Sequence, residues 1–406
     1  MNNAEYGGSS QWRASYMFEA GPRFDDDPGH MSSWKLQCIA CRRESKPDAR
    51  IFRCSCGGVL DVVMEPSPIF RDSFSRVESL WRYRAAIPVD DEAAIVTLGE
   101  GLTPLIEVEL DGDSVLLKLE FRAPTGSFKD RGASVLLSRL KEMKVHEILE
   151  DSSGNAGCSI SAYAAAAGIR CRILIPDDVS PEKAVQIVSY GAILERVAGT
   201  RDEVAAEALR RSSEIFYASH NWQPFFLQGT KTFAYEILEQ SEPLPEAIFF
   251  PVGNGSLLLG SFKGFSELLT LGLIEKMPRL IAVQAESHAP VYARVMRAGG
   301  KEPGHQKGEP RNTIAKGIAV REPVRLEQMA EAIRATGGTA VVVADEDIRN
   351  AQRVLARRGL LVEPTSAAAL AGCRVWERTQ GGKGLRVLLP LTGSGVKDLA
   401  SFEKLG

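Results

Sequence analysis

The sequence predicts an α/β protein with parallel sheets and more than one domain. Seven short apolar runs alternate with longer segments of helical periodicity beyond residue 115, which is the pattern of repeated strand–helix–strand units. Strands in such units are buried on both faces of the sheet. The chain has 406 residues, more than one hydrophobic core usually holds, so two or more domains are expected.

Three segments precede the regular pattern. Residues 1–33 are rich in Gly, Ser, Asp and Asn and predict a flexible N-terminus. Residues 34–65 hold four cysteines, and residues 66–100 predict an irregular connector with a helical stretch. The strands predicted after them are 115–120, 170–176, 192–197, 247–252, 280–285, 339–345 and 386–391. The predicted helices are 130–143, 156–167, 181–190, 201–213, 230–240, 257–269, 325–335, 346–358 and 366–376.

Composition narrows the function classes. The chain has 49 basic and 52 acidic residues, a formal net charge of −3, so no basic excess indicates nucleic acid or an anionic membrane surface as a partner. No apolar run approaches the length of a membrane span. The N-terminus lacks the apolar core of a signal peptide, and its acidic run Asp25–Asp27 is untypical of a transit peptide. A cytoplasmic location is therefore expected.

Lys129 lies where a Gly-containing turn leads into an amphipathic helix, within residues 123–142. The positive end of the helix dipole disfavours an ammonium group at this position. The same environment suits a lysine that has to be neutral in order to attack a carbonyl group. A solvated lysine followed by Asp130 as a helix cap is the alternative, and this segment alone does not decide between them.

Two further loops are candidates for binding anions at helix N-termini. The loop Ser152–Asn155 opens an Ala-rich helix, so its hydroxyl, amide and backbone N–H groups suit a carboxylate. A second loop follows an apolar strand and opens another helix, as phosphate-binding turns do. Its residues are Gly253, Asn254, Gly255 and Ser256. Ordinary helix caps and a plain glycine turn are the alternatives.

Two residues near the C-terminus are weaker candidates. Thr392 follows the predicted strand 386–391, at the end of the sheet where open α/β folds bind ligands. Its hydroxyl could bond a pyridine nitrogen, or the loop could be a plain turn. Glu363 precedes Pro364 and a helix of small residues, so it either faces the site or helps to open that helix.

Together the motifs PTGSFKDRG, SSGNAG, PVGNGS, EPTSAA and TGSGVKD, in this order, closely resemble fold-type II pyridoxal-phosphate (PLP) enzymes, above all the threonine synthase family. The resemblance spans residues 97–400. It implies a tryptophan synthase β-like fold of two three-layer α/β domains. Residues 66–130 and 231–406 would form the large cofactor-binding domain, and residues 131–230 a small mobile one. It also implies a homodimer that acts on a small amino acid.

The resemblance implies a role for each motif. Lys129 would hold pyridoxal 5′-phosphate as a Schiff base and later move the Cα proton. The loop 253–256 would bind the cofactor phosphate, Asn155 its O3′ oxygen and Thr392 its pyridine nitrogen. A neutral hydroxyl at that nitrogen would leave it largely unprotonated, so the protein tunes the electron sink that the cofactor supplies. The residues expected around the substrate are Ser152, Ser153, Gly154, Lys231 and Glu363.

One segment departs from the family pattern. A threonine synthase converts O-phospho-L-homoserine and water into L-threonine and phosphate, and the family usually has Asn-Pro-x-Arg before Glu-Gly-Gln-Lys-Thr. Here HNWQPFFLQGTKT puts Phe226 at the position of the arginine, the side chain suited to bidentate phosphate binding. Either Lys231 or another basic group compensates, or the substrate carries no phosphate. A serine or threonine dehydratase, or a β-replacement enzyme such as a cysteate synthase, is then the alternative.

Four cysteines form two knuckles, Cys38-x2-Cys41 and Cys54-x-Cys56, with twelve residues between them. Four thiolates suit tetrahedral zinc and leave no open position for catalysis. The segment resembles the small zinc ribbon that precedes some threonine synthases, so structural zinc is expected, with a metal-free relic as the alternative. The other three cysteines are expected to be small buried apolar residues rather than disulfide partners: Cys158, Cys171 and Cys373.

Overall fold

The computed structural model describes residues 34–46, 50–66, 77–110, 112–177, 181–300, 302, 312–380 and 384–403. The predicted flexible N-terminus, 1–33, lies outside the described residues. The strands are β1 (Trp34–Cys38), β2 (Glu44–Ser45), β3 (Leu60–Met64), β4 (Leu105–Leu110), β5 (Asp113–Lys118), β6 (Glu147–Glu150), β7 (Arg170–Pro176), β8 (Ile193–Val197), β9 (Phe216–Tyr217), β10 (Ala247–Pro251), β11 (Arg279–Ala285), β12 (Thr339–Val343) and β13 (Val387–Pro390).

Helices connect most of these strands. They are α1 (Lys129–Glu142), α2 (Asn155–Ala167), α3 (Pro181–Ser189), α4 (Arg201–Arg211), α5 (Pro224–Thr230), α6 (Thr232–Gln240), α7 (Ser256–Thr270), α8 (Pro290–Ala298), α9 (Leu326–Ala335), α10 (Asp345–Arg357), α11 (Pro364–Gln380) and α12 (Ala400–Glu403). Within the described ranges, none of them is long and apolar enough to cross a membrane.

The strands form three sheets. The largest has the order β12-β11-β10-β13-β5-β4 and is parallel except for β4, which runs antiparallel to β5. A second sheet, β8-β7-β6-β9, is parallel throughout. The first three strands form a small antiparallel sheet, β2-β1-β3, which carries the cysteine cluster. The predicted α/β class with mainly parallel sheets is therefore confirmed.

The parallel sheets are buried on both faces, which explains the unbroken apolar runs in the sequence. Along β10, Ile248 and Phe250 belong to the core on one face, whereas Phe249 belongs to the core on the other. In the second sheet, Ile148 and Leu149 of β6 divide between two cores in the same way. Because successive side chains of a strand point to opposite faces, both faces require apolar residues here.

The elements that the sequence failed to predict are short or lie at edges. All seven predicted strands and nine predicted helices are present, the helix predicted at 230–240 being α6, whereas α5, α8 and α12 were not predicted. The unpredicted strands have between two and six residues, and β4 (LIEVEL) is partly exposed at the edge of its sheet. Strands this short carry little local signal.

A buried network of charged side chains joins helices α1 and α6 to the large sheet. The Arg131 guanidinium on α1 bonds the carboxylates of Glu120 and Glu236, and Lys118 of β5 donates to Glu236 at 2.7 Å. These four side chains are essentially inaccessible to solvent. Such a network is costly to bury, but every charge in it has an opposite partner, so removing one leaves the others unpaired.

We predict that Glu236→Gln destabilises the protein because Lys118 and Arg131 then share one fewer carboxylate. Breaking a buried charge network costs on the order of 3–5 kcal/mol. Urea denaturation followed by circular dichroism measures the loss. As a control, Glu327→Gln removes the exposed ion pair with Arg294, which is worth less than about 1 kcal/mol. Equal midpoints for the two variants would contradict the prediction.

Candidate active site

Lys129 meets the glycine-rich loop although 127 residues separate the two in sequence. Its Nζ atom lies 3.4 Å from the Ser256 hydroxyl, and Ser256 is the first residue of α7. Lys129 is itself the first residue of α1. The structure thus places two helix N-termini and one amine around a common space, at the carboxyl edge of the large sheet.

The surroundings of Lys129 favour a neutral amine. Burial lowers the pKa of Lys129 from 10.5 to about 8, and negative charge on Glu150 or Glu363, when either is ionised, opposes that shift. The Nζ atom also lies 4.9 Å from the centre of the Phe128 ring and 5.6 Å from that of Phe226. An amine with this pKa is partly deprotonated near neutral pH and can act as a nucleophile or a base.

The loop before α7 has the shape of a phosphate cradle. Gly255 adopts a left-handed backbone with φ of +71°, which favours glycine. A Cβ atom on Gly253 would lie 2.8 Å from the carbonyl oxygen of Gly317, so only glycine fits there as well. The first N–H groups of α7 have no intrahelical acceptor, and the helix dipole adds to their attraction for an anion. A phosphate group therefore fits this loop.

Asn155 is held between an acid and a base. As the first residue of α2, it donates through Nδ2 to both oxygens of Glu363, at 3.0 and 3.1 Å. Its Oδ1 atom accepts a hydrogen bond from Lys397 at 3.0 Å. Because an ammonium group can only donate hydrogen bonds, the Asn155 atom that faces Lys397 must be the oxygen Oδ1. The amide nitrogen Nδ2 therefore faces the other way and acts as a donor. Burial raises the pKa of Glu363 above its ordinary value.

Thr392 and its neighbours close the other end of the space. The Thr392 hydroxyl lies 3.2 Å from that of Ser366, and its carbonyl oxygen accepts from the backbone N–H of Phe128, next to Lys129. Ser127 forms an isolated backbone bridge with Gly393. The Ser127 hydroxyl is buried without a hydrogen-bond partner in the described part of the chain. A polar group of a ligand could bond it there.

The predicted carboxylate loop lies between β6 and α2. Ser152 and Ser153 are half-buried and Gly154 is exposed, and the Gly154 N–H donates to the Ser152 hydroxyl at 3.3 Å. The loop therefore leaves hydroxyl and N–H groups available at the start of α2, beside Asn155. Its position agrees with the predicted contact to a carboxylate, which remains a prediction.

Lys231 is not part of this cluster. Its ammonium group is fully buried and bonds Glu267 at 2.9 Å, close to the Met64 sulfur of β3. A buried cation that is already paired has no charge to offer to a substrate phosphate. Lys231 therefore ties α6 to α7 in this structure, and the compensating role expected for it gains no support from its position.

Phe226 lies in the site, so its replacement of an arginine affects the chemistry directly. The ring is fully buried, faces the Lys129 amine, and occupies the space where a Cβ atom on Gly132 would project. A second unexpected group lies behind it: the His220 ring is 5.9 Å from the Phe226 ring and bonds Glu150 through Nδ1 at 2.8 Å. The sequence reasoning missed His220, Glu150 and Lys397. Of these, only Lys397 belongs to a recognised motif, TGSGVKD.

The four predicted metal ligands do come together. The sulfur atoms of Cys38, Cys41, Cys54 and Cys56 all lie within 4.8 Å of one another. Sulfur atoms around tetrahedral zinc are separated by about 3.8 Å for a Zn–S bond of about 2.3 Å. Gly58 is required beside them because a Cβ atom there would lie 2.8 Å from the Cys38 sulfur. A hydrogen bond from the Cys56 backbone lowers the pKa of Cys54 to about 6, which favours a thiolate.

A partly neutral lysine beside a phosphate cradle, with an amide and a hydroxyl at the other end, defines an enzyme that binds pyridoxal phosphate. Residues 96–393 match the model of the pyridoxal-phosphate dependent enzyme family, and the chain belongs to that family. It is 35% identical to the threonine synthase of Methanocaldococcus jannaschii, over 89% of this chain and 92% of that protein. It is also 35% identical to the threonine synthase of Methanosarcina acetivorans, over 84% and 86%. Within the class, the chain is a member of the threonine synthase family.

Solved structures give the same fold. The serine racemase of Dictyostelium discoideum is 25% identical and superposes with a TM-score of 0.59, over 72% of this chain and 92% of that one. The processed form of threonine deaminase isoform 2 from Solanum lycopersicum is 21% identical, with a TM-score of 0.65 over 84% and 89%. The second likeness shows the fold alone.

We predict that covalent attachment of PLP to the cofactor-free protein accelerates with pH and has its midpoint near 8. The deprotonated amine is the attacking form, and burial lowers the pKa of Lys129 to about 8. The rate should therefore rise about tenfold between pH 7 and pH 9. Stopped-flow absorbance of the bound cofactor measures it, and Lys129→Ala should give no covalent band. A midpoint above pH 10 would contradict the effect of burial.

Proposed function

We propose that the protein is a PLP-dependent threonine synthase, which converts O-phospho-L-homoserine and water into L-threonine and phosphate. The observation that carries the proposal is the contact between the Lys129 amine and the glycine-rich cradle at Ser256, 3.4 Å apart. Membership of the threonine synthase family supports the choice of this reaction among those that PLP enzymes perform.

The chain's own residues bind, orient and move protons. When bound, the cofactor supplies an electron sink for the charge that develops at the substrate Cα atom. The Lys129 amine would take the Cα proton and then a Cβ proton, which allows phosphate to leave from the Cγ atom, and a pKa of about 8 suits both proton transfers. The first N–H groups of α7 hold the cofactor phosphate. Asn155, oriented by Lys397, donates to the cofactor O3′ atom, and Thr392 offers a neutral hydroxyl to the pyridine nitrogen.

The substrate is held from the other side. Ser152, Ser153 and Gly154 offer hydroxyl and N–H groups at the start of α2, where a substrate carboxylate binds. The four-stranded sheet falls wholly within residues 131–230. We propose that this segment is the small domain and moves toward the large one when substrate binds. The family resemblance also supports a cytoplasmic homodimer.

A second function is favoured by Phe226. Its apolar ring takes the place of the arginine that suits a substrate phosphate, and Lys231 is engaged with Glu267. A substrate without a phosphate group would need neither cation. The protein would then be a serine or threonine dehydratase, or a β-replacement enzyme of the cysteate synthase type.

We predict that the PLP-loaded protein releases L-threonine and phosphate in equal amounts from O-phospho-L-homoserine. Amino-acid chromatography and a phosphate assay measure the two products, and Lys129→Ala is the control for catalysis by free PLP. The same protein is then given L-serine, L-threonine, and L-serine with sulfite. Keto acid and ammonia from serine or threonine, with no threonine from O-phospho-L-homoserine, would establish the dehydratase. Formation of cysteate alone would establish the β-replacement enzyme.

We also propose that the cysteine cluster binds one structural zinc ion. Four sulfur atoms within 4.8 Å of one another form a complete donor set for tetrahedral zinc. The ribbon that carries them packs on the rest of the chain, since the Trp34 ring lies 5.7 Å from the ring of Phe225 on α5. The metal would therefore stabilise a module that borders the helix containing Phe226.

We predict about one zinc ion per chain in protein purified without chelator. Cys41→Ser removes one of four ligands and should lower zinc retention and the thermal midpoint, because metal binding is coupled to folding. Elemental analysis and thermal unfolding measure both, and Cys373→Ser, at a cysteine outside the cluster, is the control for zinc retention. Metal-free protein with an unchanged midpoint in Cys41→Ser would instead indicate a relic ribbon.

A further inference from the structure

Glu150 and His220 form a buried acid–base pair beside the site. The Oε1 atom of Glu150 is 2.8 Å from Nδ1 of His220, and the His220 backbone N–H donates to Oε2 at 3.2 Å. Glu150 is fully buried, and His220 is only 7% exposed. Two hydrogen bonds therefore fix the imidazole relative to the carboxyl group. Since Nδ1 is used, Nε2 is the ring nitrogen left without a partner among the described residues.

The pair lies next to the carboxylate loop and to Phe226. Glu150 is the last residue of β6, and the carboxylate loop Ser152–Gly154 follows one residue later. His220 follows β9, the neighbour of β6, so both side chains lie at the carboxyl edge of the second sheet. The Phe226 ring touches the His220 ring and also faces the Lys129 amine, at 5.9 and 5.6 Å. One aromatic ring therefore separates the imidazole from the amine.

Burial and the neighbouring charges favour the uncharged forms of both Glu150 and His220. Burial and then Asp151 raise the pKa of Glu150, against the opposing effects of Arg201 and Lys129. Burial, Lys129 and Arg201 lower the pKa of His220. Both directions favour a protonated Glu150 and an uncharged imidazole. The carboxyl group then donates to Nδ1, and the imidazole carries its own proton on Nε2.

We propose that His220 is a catalytic acid, which protonates the oxygen that leaves the substrate. As the carbon–oxygen bond breaks, its electron pair stays on the oxygen, which takes the proton from Nε2. The Glu150 proton passes to Nδ1, so the imidazole stays neutral and Glu150 becomes a carboxylate. This assignment rests on the proposed function, in which the substrate loses phosphate from its Cγ atom.

The pair also accounts for the missing arginine. A guanidinium group would stabilise the charge on a departing phosphate by ion pairing. Phe226 offers no charge, but its ring lies against the imidazole and keeps water from it. A proton donor can neutralise the departing oxygen without any cation, and a positioned acid contributes about 100- to 10,000-fold to a rate. The substrates that fit are amino acids with an oxygen leaving group, whether ester or hydroxyl.

The test compares two substrates of the PLP-loaded enzyme. O-Phospho-L-homoserine must lose its oxygen, whereas L-vinylglycine has no leaving group and enters the reaction after that step. For His220→Asn, we expect kcat with O-phospho-L-homoserine to fall at least about 100-fold. Threonine formation from L-vinylglycine should stay within about threefold of wild type, as should exchange of the Cα proton with deuterated water. An equal loss with both substrates would overturn the proposal, because a structural defect affects both.

Glu150→Gln provides the second variant. The amide still donates to Nδ1 and holds the ring, but it cannot replace the proton, so the same selective loss is expected at a smaller magnitude. His146→Asn, at an exposed histidine, is the matched control and should behave as wild type. If Glu150→Gln and His220→Asn both leave turnover of O-phospho-L-homoserine unchanged, the pair is not the acid.

The acid role of His220 can also be tested if the protein is not a threonine synthase. If wild-type enzyme forms no threonine from either four-carbon substrate but deaminates L-serine, the pair is tested with L-serine and β-chloro-L-alanine. Chloride leaves without being protonated, whereas the hydroxyl group of serine must take up a proton in order to leave as water. His220→Asn should then reduce turnover of L-serine at least about 100-fold and leave that of β-chloro-L-alanine within about threefold. Equal effects on both substrates would overturn the acid role under the second function too.

Discussion

The position of Lys129 depends on the charge network around Arg131, two residues farther along α1. The guanidinium group bonds Glu120, which follows β5, and Glu236 of α6, and Lys118 completes the network from the large sheet. A helix start held by several buried bonds cannot rotate or slide without breaking them. The lysine therefore points at the loop before α7 rather than into solvent. The cost of burying the charges is offset because all of them are paired.

The same burial sets the chemistry of the amine. In a low-dielectric environment the charged form of a lysine is disfavoured, and ionisation of Glu150 or Glu363 opposes the shift for Lys129. Complete isolation from carboxylates would lower the pKa further and leave the amine a weaker base. Glu363 in turn is bonded to Asn155, whose other end is held by Lys397. The residues proposed to bind the cofactor and those that adjust the pKa of the amine thus form one connected set.

The site combines family features with features of its own. The cradle, the lysine and the asparagine follow the family motifs, whereas Phe226, His220 and Glu150 form a buried group next to the Lys129 amine. An aromatic ring between an imidazole and an amine excludes water and carries no charge. An arginine would attract a phosphate dianion, whereas these three side chains offer at most a hydrogen-bond donor. The difference therefore concerns how the leaving group departs rather than how the cofactor is held.

The sequence by itself determined the α/β class and most of the strands and helices, and it marked Lys129 and the four cysteines as candidates, because apolar periodicity, ordered motifs and knuckle spacing are properties of short segments. The tertiary structure alone decided which side chains meet. Lys231 stands in a family motif yet bonds Glu267, while Glu150 and His220, which no motif marks, form a pair. Those partners lie 36 and 70 residues apart in the chain. Contacts of this kind depend on how strands are ordered and helices packed, and no short segment of sequence carries that information.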